Sequence, residues 1–158
     1  MHISQFSDYS LRVLIFLVTC KKPTTATAIA EAYDISFHHV SKAAQFLARE
    51  GYVASERGRS GGIRLALAAK EISIGEVLRK SEKGNVALVE CMRPKGKPCV
   101  IVPVCKLAGT LRKAQEAFFD YLDKVTLADI TSNEESLKNI LEKNILESGL
   151  GAGNAACR

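Results

Sequence analysis

The chain has 158 residues, of which 47% are hydrophobic, and it carries 22 Lys and Arg against 17 Asp and Glu, a formal net charge of +5 at pH 7. This length and apolar content exclude a disordered chain and fit one domain, or one domain with an extension. The net positive charge suits a polyanionic partner. No secretory signal pattern opens the chain, and the apolar run at residues 13–18 is too short to cross a bilayer. We therefore expect a cytoplasmic protein with no membrane partner.

The first part of the chain predicts two helices. Ser4 and Ser7 are both suitable N-caps for a first helix, and Asp8 falls in or near its first turn. This helix is apolar on most sides, so we expect it at the centre of the fold. Thr24 or Thr25 then begins a short second helix.

A third helix is predicted from a cap at Ser36 to about Glu50. Its expected buried stripe consists of Phe37, Val40, Ala44 and Leu47. The opposite face presents His38, Lys42, Gln45 and Arg49, with Ser41 beside them and Phe46 also projecting that way. Two short helices joined by a tight turn are typical of a helix-turn-helix, whose second helix reads the major groove of DNA. The candidate contacts to base edges or phosphates are His38, Ser41, Lys42 and Gln45.

A β-hairpin is predicted directly after the third helix. Residues 52–57 and 63–67 read as strands, with Ile63, Leu65 and Leu67 pointing inward. The glycine-rich tip between them allows close approach to a DNA backbone, and its candidate DNA-binding residues are Arg57, Arg59, Ser60, Gly61 and Arg64. The predicted fold class is mainly α with a small β-hairpin wing, a winged helix-turn-helix followed by a long dimerisation helix.

Three cysteines lie close together after this unit. Cys91, Cys99 and Cys105 follow a C-x7-C-x5-C spacing, and the prolines and Gly96 around them exclude a regular helix or central strand. The residues alone allow unrelated small apolar side chains, a disulfide with a spare thiol, a zinc site with a fourth ligand from elsewhere, or an iron–sulfur cluster. We favour the cluster, because kinked loops return thiolates to a soft metal centre and nothing in the chain indicates export.

A long helix is predicted to begin near Lys106. Its apolar residues recur every three to four positions at Leu107, Leu111, Ala114, Phe118, Tyr121 or Leu122, and Val125. This seam predicts a dimerisation helix, with packing against its own domain as the alternative. We therefore divide the chain into a winged helix-turn-helix at 1–80, a cluster-binding loop at 81–105, a dimerisation helix at 106–130, and a C-terminal helix with a flexible tail at 131–158.

Several stretches of the sequence resemble the Rrf-two (BadM) group of bacterial winged-helix repressors, and among them most closely its nitric-oxide-sensing members. The stretches are Phe6–Ile15, Arg57–Leu65, Ile74–Val77, Leu88–Cys91, Cys99–Leu107 and Tyr121–Asp129. Together the resemblance covers about residues 1–130. The regulators of cluster biogenesis in this group have a histidine three residues after the third cysteine. Ala108 stands at that position here, so their ligation is not available.

The resemblance implies an iron–sulfur cluster on Cys91, Cys99 and Cys105, with [4Fe–4S] favoured over [2Fe–2S]. It also implies that Asp8 of the partner subunit is the fourth ligand, although the residues alone favour a carboxylate that stabilises a helix N-terminus. The implied function is that of a homodimeric repressor, not an enzyme, which binds a palindromic operator in double-stranded DNA and leaves it when nitric oxide nitrosylates the cluster. The alternatives are an iron- or redox-responsive repressor with the same cluster and, less favoured, an electron carrier.

Overall fold

The computed structural model describes residues 2–20, 22–56, 58, 61–82, 87–93, 96 and 99–147. The helices within these ranges are α1 (Gln5–Val18), α2 (Ala26–Tyr33), α3 (Phe37–Arg49), α4 (Ile74–Ser81), α5 (Leu107–Leu122), α6 (Leu127–Ile130) and α7 (Glu134–Glu147). The strands are β1 (Val53–Glu56) and β2 (Gly62–Leu65), and short 3-10 turns occupy Ala69–Glu71 and Glu90–Met92. The predicted fold class, a mainly helical chain with one antiparallel hairpin, is confirmed.

Helix α1 lies at the centre of the fold. Ser4, not Ser7, is its N-cap: the Ser4 hydroxyl accepts a hydrogen bond from the Ser7 amide at 3.3 Å. Helix α3 packs against α1, and so does α4. The α1 side chains in this core are Val13, Leu14, Phe16 and Leu17, each at most 3% exposed. Because the helix is covered on several sides, every side chain of its apolar run at residues 13–18 is buried or half-buried.

The turn between α2 and α3 produces the helix-turn-helix geometry. Thr25 caps α2, and its hydroxyl accepts from the Ala28 amide at 3.2 Å. Asp34 adopts a left-handed conformation with φ 50°, which asparagine and aspartate tolerate better than most residues. The Ile35 amide then donates to the Ala30 carbonyl at 3.0 Å. The chain thus reverses within a few residues and starts α3.

Two predictions on the faces of α3 are wrong. Phe37 was assigned to the buried stripe but is 53% exposed, because it occupies the first helical position, beyond the edge of the core. Phe46 was placed on the polar face but is 6% exposed, since its ring packs edge-on against Phe6 of α1 with centroids 5.2 Å apart. The other stripe residues, Val40, Ala44 and Leu47, are buried as predicted.

The wing is a two-stranded hairpin in which Val53 pairs with Leu65 and Glu56 with Gly62. Both strands are shorter than predicted. Leu67, expected to point inward, lies after β2 and is 41% exposed, because the strand alternation stops at Leu65. The hairpin is attached to the body by a bridge between Thr24 and Ile63, whose amides each donate to the other's carbonyl.

The C-terminal half of the chain returns to the first half. Helix α5 packs against α4, and α7 packs against α2. Leu141 and Ile145 of α7 are 7% and 6% exposed, and the Asn144 side chain donates to the Ala32 carbonyl at 2.9 Å. The last described helix therefore shares the core of the helix-turn-helix unit.

A buried carboxylate joins the start of α1 to the end of α4. Glu82 is 5% exposed, and its Oε1 accepts from the Ser4 amide at 2.6 Å. The Ser7 and Ser81 hydroxyls lie 2.7 Å apart beside it. Burial alone would raise the pKa of Glu82, but hydrogen bonds from Ser7 and Ser4 outweigh it and hold the pKa below its ordinary value.

We predict that Glu82→Gln destabilises the protein in a pH-dependent way. The folded pKa lies below that of the unfolded chain, so the ionised group stabilises the fold above about pH 4.3, the ordinary glutamate value, and this contribution is lost as pH falls through the folded pKa. Chemical denaturation should give a loss of about 1–2 kcal/mol in unfolding free energy at neutral pH. The difference from wild type should narrow below about pH 4.3.

The matched control is Glu135→Gln, which neutralises an exposed glutamate in the first turn of α7. Its unfolding free energy should stay within about 0.5 kcal/mol of wild type. A loss for Glu82→Gln that is the same at neutral and acidic pH would contradict the assigned role of the charge.

Candidate DNA-binding surface and metal-binding loop

Helix α3 presents a polar face away from the core. His38, Lys42 and Gln45 are exposed and Ser41 is half-buried, as the sequence predicts. Their spacing places them on one side of the helix, because residues three and four apart lie above one another. The face combines donors and acceptors with a cation, the set that reads base edges and phosphates in a major groove. The four side chains thus lie on one polar face of α3, which makes them candidate DNA contacts.

The structure adds neighbours to this surface that the sequence did not indicate. The His39 ring stacks on Tyr9 of α1, with centroids 5.5 Å apart and ring planes inclined by 26°. Gln5, Phe6, Tyr9, His39 and Lys42 line a small recess between α1 and α3. Only the crossing of the two helices brings these residues together. The sequence hinted at this contact only in that His39 lies outside the predicted buried stripe of α3.

The wing contributes the described residues Gly61 and Arg64. Arg64 is exposed, and its guanidinium pairs with Glu56 across the hairpin and donates to the Leu65 carbonyl at 3.1 Å. The Gly61 amide donates to the Gly58 carbonyl at 3.0 Å, and Gly58 has φ 123°. The predicted contacts Arg57, Arg59 and Ser60 lie outside the described residues. Of these two described residues only Arg64 carries a charge, and that charge is already paired with Glu56.

The three thiols lie between α4 and α5 in the chain. Cys91 is exposed in the turn Glu90–Met92, Cys99 is exposed at the start of a turn, and Cys105 is half-buried just before α5. All three are free of disulfides. The Val102 amide donates to the Cys99 carbonyl at 3.1 Å, which bends the chain between the second and third thiols.

Gly96 allows the chain between the first two thiols to fold back. A Cβ at this position would collide with the Glu90 carbonyl. Hydrogen bonds from the Arg93 amide to Glu90 and from the Gly96 amide to Arg93, both 3.0 Å long, fix the same reversal. The glycine is therefore required by close backbone approach, next to Cys91.

The thiols are not gathered into a metal site. Within the part of the chain that the structure describes, no three or more His, Cys, Asp or Glu side chains are arranged to hold a metal ion. The donor chemistry nevertheless fits a soft metal centre, because thiolate sulfur is a ligand that iron and zinc prefer and the three thiols are not bridged to one another. Completing such a site needs movement of the segment and a further ligand.

Asp8, the candidate fourth ligand, lies in the first turn of α1. Its side chain is 46% exposed and accepts from Arg12 Nε at 2.9 Å. The Arg12 guanidinium also lies over the rings of Tyr9 and Tyr33, 6.0 and 5.7 Å from their centroids. Burial raises the pKa of Tyr33 to about 12; the positive charge of Arg12 opposes the shift and Asp8 adds to it. The carboxylate is paired with Arg12 and remains open to solvent.

Apolar side chains are exposed beside the thiols. Val100 and Val104 are 93% and 82% exposed, and Leu107 at the start of α5 is 58% exposed. Further along α5, Tyr121 is 70% exposed. A run of large apolar side chains facing water is a feature of protein interaction surfaces.

Among the described residues, no helix combines the length and apolar character needed to cross a membrane.

The family of the chain follows from its similarity to known proteins. Residues 3–133 match the model of the Rrf2 (Rrf-two) family, described as iron-dependent transcriptional regulators. The chain is 43% identical over 145 residues to the HTH-type transcriptional regulator NsrR of Geobacillus kaustophilus, an alignment that covers 90% of this chain and 98% of the relative. It is also 43% identical to the NsrR of Bacillus subtilis, over 90% of this chain and 98% of that protein.

Solved structures give the same result for the fold. CymR, the global cysteine regulator of B. subtilis, superposes with a TM-score of 0.66 at 26% identity, covering 84% of this chain and 98% of that one. The helix-turn-helix, the hairpin and the long helix thus occur in the order and arrangement of a known regulator. The chain belongs to the Rrf2 family of transcriptional regulators, which bind DNA and are not enzymes.

Proposed function

We propose that this protein is a homodimeric repressor that binds a palindromic operator in its cluster-loaded form and releases it in response to nitric oxide. Residues 1–80 form the winged helix-turn-helix unit, 81–105 the cluster-binding loop, 106–130 the dimerisation helix, and 131–158 a C-terminal helix and tail. The similarity to NsrR proteins over most of the chain favours the nitric oxide signal.

One observation carries the proposal: the three free thiols lie between the end of α4 and the start of α5. Helix α4 packs on the central helix α1, which also supports α3, while α5 carries the exposed apolar seam. A chemical change at the thiols therefore acts on the connection between the DNA-reading unit and the dimer contact. Rotation of the DNA-reading unit relative to the dimer contact changes the distance between the two recognition helices of the dimer, and so the half-site spacing that they fit.

In this proposal Cys91, Cys99 and Cys105 hold the cluster as thiolates, and Asp8 of the partner subunit provides a fourth, oxygen ligand. An iron–sulfur cluster supplies iron atoms that react with small molecules, and [4Fe–4S] is favoured over [2Fe–2S]. A carboxylate oxygen is a weaker partner for such iron than a thiolate, so it leaves one position open to exchange. Arg12 fixes the orientation of Asp8 through the 2.9 Å contact between their side chains.

The DNA contacts follow from the exposed face of α3 and from the wing. His38, Ser41, Lys42 and Gln45 would enter a major groove. Arg57, Arg59, Ser60, Gly61 and Arg64 would hold phosphates or reach an adjacent minor groove. Arg64 is already paired with Glu56, whereas Lys42 has an exposed side chain on the polar face of α3. We therefore expect Lys42 to bind phosphate more strongly than Arg64.

The dimer in the proposal uses the seam of α5. Leu107, Ala114 and Tyr121 are exposed, and Leu111 and Phe118 are half-buried. A second copy that covers these side chains removes apolar surface from water, which stabilises the dimer by about 25 cal/mol for each Å² buried. It also doubles the DNA contact and fixes the half-site spacing.

A second candidate is an iron-responsive repressor with the same ligands, which the description of the family as iron-dependent favours. The two differ in the signal. Iron chelation in the absence of nitric oxide should release an iron-responsive repressor from DNA within minutes. A nitric oxide sensor with a stable cluster should stay bound under the same treatment.

We predict that Cys99→Ala abolishes both the cluster and the response. Removing one of three thiolates leaves too few strong ligands to retain iron. Anaerobically purified variant should contain less than about a tenth of the iron of wild type, since second-shell changes alone already cost 10–100-fold in metal affinity. Its operator binding, measured by gel shift, should not change on addition of nitric oxide.

The control is Met92→Ala, which removes a sulfur-containing side chain next to Cys91 but no thiolate. It should keep the iron, the visible absorbance and the nitric oxide response. Cys99→Ala protein that still bound its operator in a nitric-oxide-sensitive way would contradict the proposed mechanism.

We predict that Asp8→Ala retains some cluster but alters its absorption spectrum and its rate of reaction with nitric oxide. The paired control is Arg12→Met, which breaks the same ion pair and keeps the carboxylate. Loss of this exposed (i, i+4) pair should cost each variant only about 0.3–0.5 kcal/mol of stability. Identical spectra and stopped-flow rates for wild type and Asp8→Ala would rule out the ligand role.

We predict that Lys42→Ala weakens operator binding and lowers its salt dependence. One lost phosphate contact per subunit should reduce the slope of log Kobs against log salt by about 1 per subunit. Lys138→Ala is the charge-matched control, since this lysine pairs with Glu142 on α7. Equal salt slopes for the two variants would place Lys42 outside the DNA interface.

A further inference from the structure

The C-terminal half of α5 is tied to α4 by an ionic cluster centred on Arg79. Arg79 Nη1 lies 3.2 Å from Glu116, Nη2 lies 3.2 Å from Asp120, and Nη2 lies 3.0 Å from Asp123 Oδ2. The Nε atom also donates to Asp123 at 3.2 Å. One guanidinium on the reading unit thus holds three carboxylates of the proposed dimerisation helix.

Packing supports the same contact. The Arg79 guanidinium lies over the ring of Phe119, 4.7 Å from its centroid, and Phe119 is 5% exposed. A Cβ at Gly75 would collide with Asp123, so the start of α4 and the end of α5 approach each other closely at this point. The Ser73 hydroxyl, at the start of α4, donates to the Asp123 carbonyl at 3.0 Å. The end of α5 is therefore fixed to α4 by backbone contact as well as by charge.

The carboxylates and the apolar seam lie on opposite faces of α5. With about 100° of rotation per residue, Glu116, Asp120 and Asp123 share one side of the helix. Leu107 lies roughly 140–180° away from them by the same rotation and Tyr121 roughly 100–160°, and both are exposed. One face of α5 is thus attached to its own reading unit while the opposite face is available to a second copy.

We propose that Arg79 is a positioning residue that sets the angle between the dimerisation helix and the DNA-reading unit, and through it the half-site spacing that the dimer accepts. The proposal rests on the proposed function, because it requires a dimer on a two-part operator. It assigns the choice of operator geometry to a residue that lies on α4, away from the predicted DNA contacts on α3 and the wing.

The length of α5 makes a small change of angle significant. A helix of 16 residues is about 24 Å long at 1.5 Å per residue. A tilt of about 8–10° at one end moves the other by about 3.4–4 Å, which is close to the spacing of neighbouring bases along one DNA strand. A rigid dimer therefore discriminates between operators that differ by one base pair only if this angle is held to within a few degrees.

Arg79 suits this task better than an ordinary surface ion pair. Isolated exposed pairs contribute little, because both side chains lose freedom for a single screened contact. Here three carboxylates within eight residues of one helix repel one another and share a single cation. The planar fork of arginine meets them together and stacks on Phe119, which a lysine cannot reproduce. Removing Arg79 takes away the cation that all three carboxylates contact and favours displacement of α5.

The test compares DNA spacing preferences. Anaerobically isolated wild-type protein first selects its operator from a randomised pool of duplex DNA. That operator is then rebuilt with one base pair inserted or deleted between the half-sites, and as a single half-site. Affinities are measured for wild type, Arg79→Met, Arg79→Lys and the control Arg112→Met, which makes the same change at an exposed position on α5.

Wild type and Arg112→Met should lose about tenfold or more in affinity when the spacing changes, because the two subunits can then no longer bind both half-sites at once. Arg79→Met should bind the original operator about tenfold more weakly than wild type and respond less than about threefold to spacing. Its affinity for the single half-site should equal that of wild type. Arg79→Lys should fall between the two, since it keeps the charge without the fork.

An Arg79→Met variant with the wild-type spacing preference would overturn the proposal and leave the proposed function intact. A loss of half-site affinity equal to the loss on the full operator would also overturn it, because the defect would then lie in the reading unit. If Arg79→Met does not fold, Glu116→Gln with Asp120→Asn removes two of the three partners and should broaden the spacing preference in the same direction. A wild-type protein without any spacing preference would count against both this proposal and the dimeric operator.

Discussion

The burial of α1 is the interaction on which the rest of the structure depends. Leu14 and Phe16 are at most 1% exposed, and side chains of this size contribute about 1.5–3 kcal/mol each when fully buried. Helices α3 and α4 both pack against α1, so it supports the helix with the candidate DNA-binding face and the helix that leads to the cysteine segment. The N-terminal end of α1 carries Asp8 and, through Ser4, the bond to Glu82. A disturbance at either point acts on a rigid element in contact with the reading helix.

Local chemistry in the sequence was sufficient to predict most of the elements. Side-chain caps at Ser4 and Thr25, each one of two candidates in the sequence, begin two helices, since each hydroxyl accepts from an amide of the first turn. The errors concern burial at the edges of elements. Phe37 is exposed at the start of α3 and Leu67 beyond the end of β2, where periodicity no longer determines which side chains face the core. Phe46 is buried because α1 crosses α3 at that position, which one helix alone does not reveal.

The candidate site was predictable as a set of residue types but not as a geometry. The exposed face of α3 follows from helical spacing alone, and its residues are accessible as expected. The stacking of His39 on Tyr9 depends on tertiary packing and was missed. The sequence places three thiols within fifteen residues, whereas their mutual distances depend on a loop without regular hydrogen bonding. Metal binding contributes to the folding free energy of the segment that holds the metal, so the geometry of such a site does not follow from the spacing of its ligands alone.

The attachment of α7 to α2 brings the last described helix back to the N-terminal half of the chain. In sequence the last helix follows the long helix, but Asn144 and its apolar neighbours join it to the helix-turn-helix unit. The C-terminal end of α5 is therefore attached on two sides, directly to α4 and, through the following α7, to α2. In the proposed dimer, a force transmitted along α5 would reach the helix-turn-helix unit through both attachments.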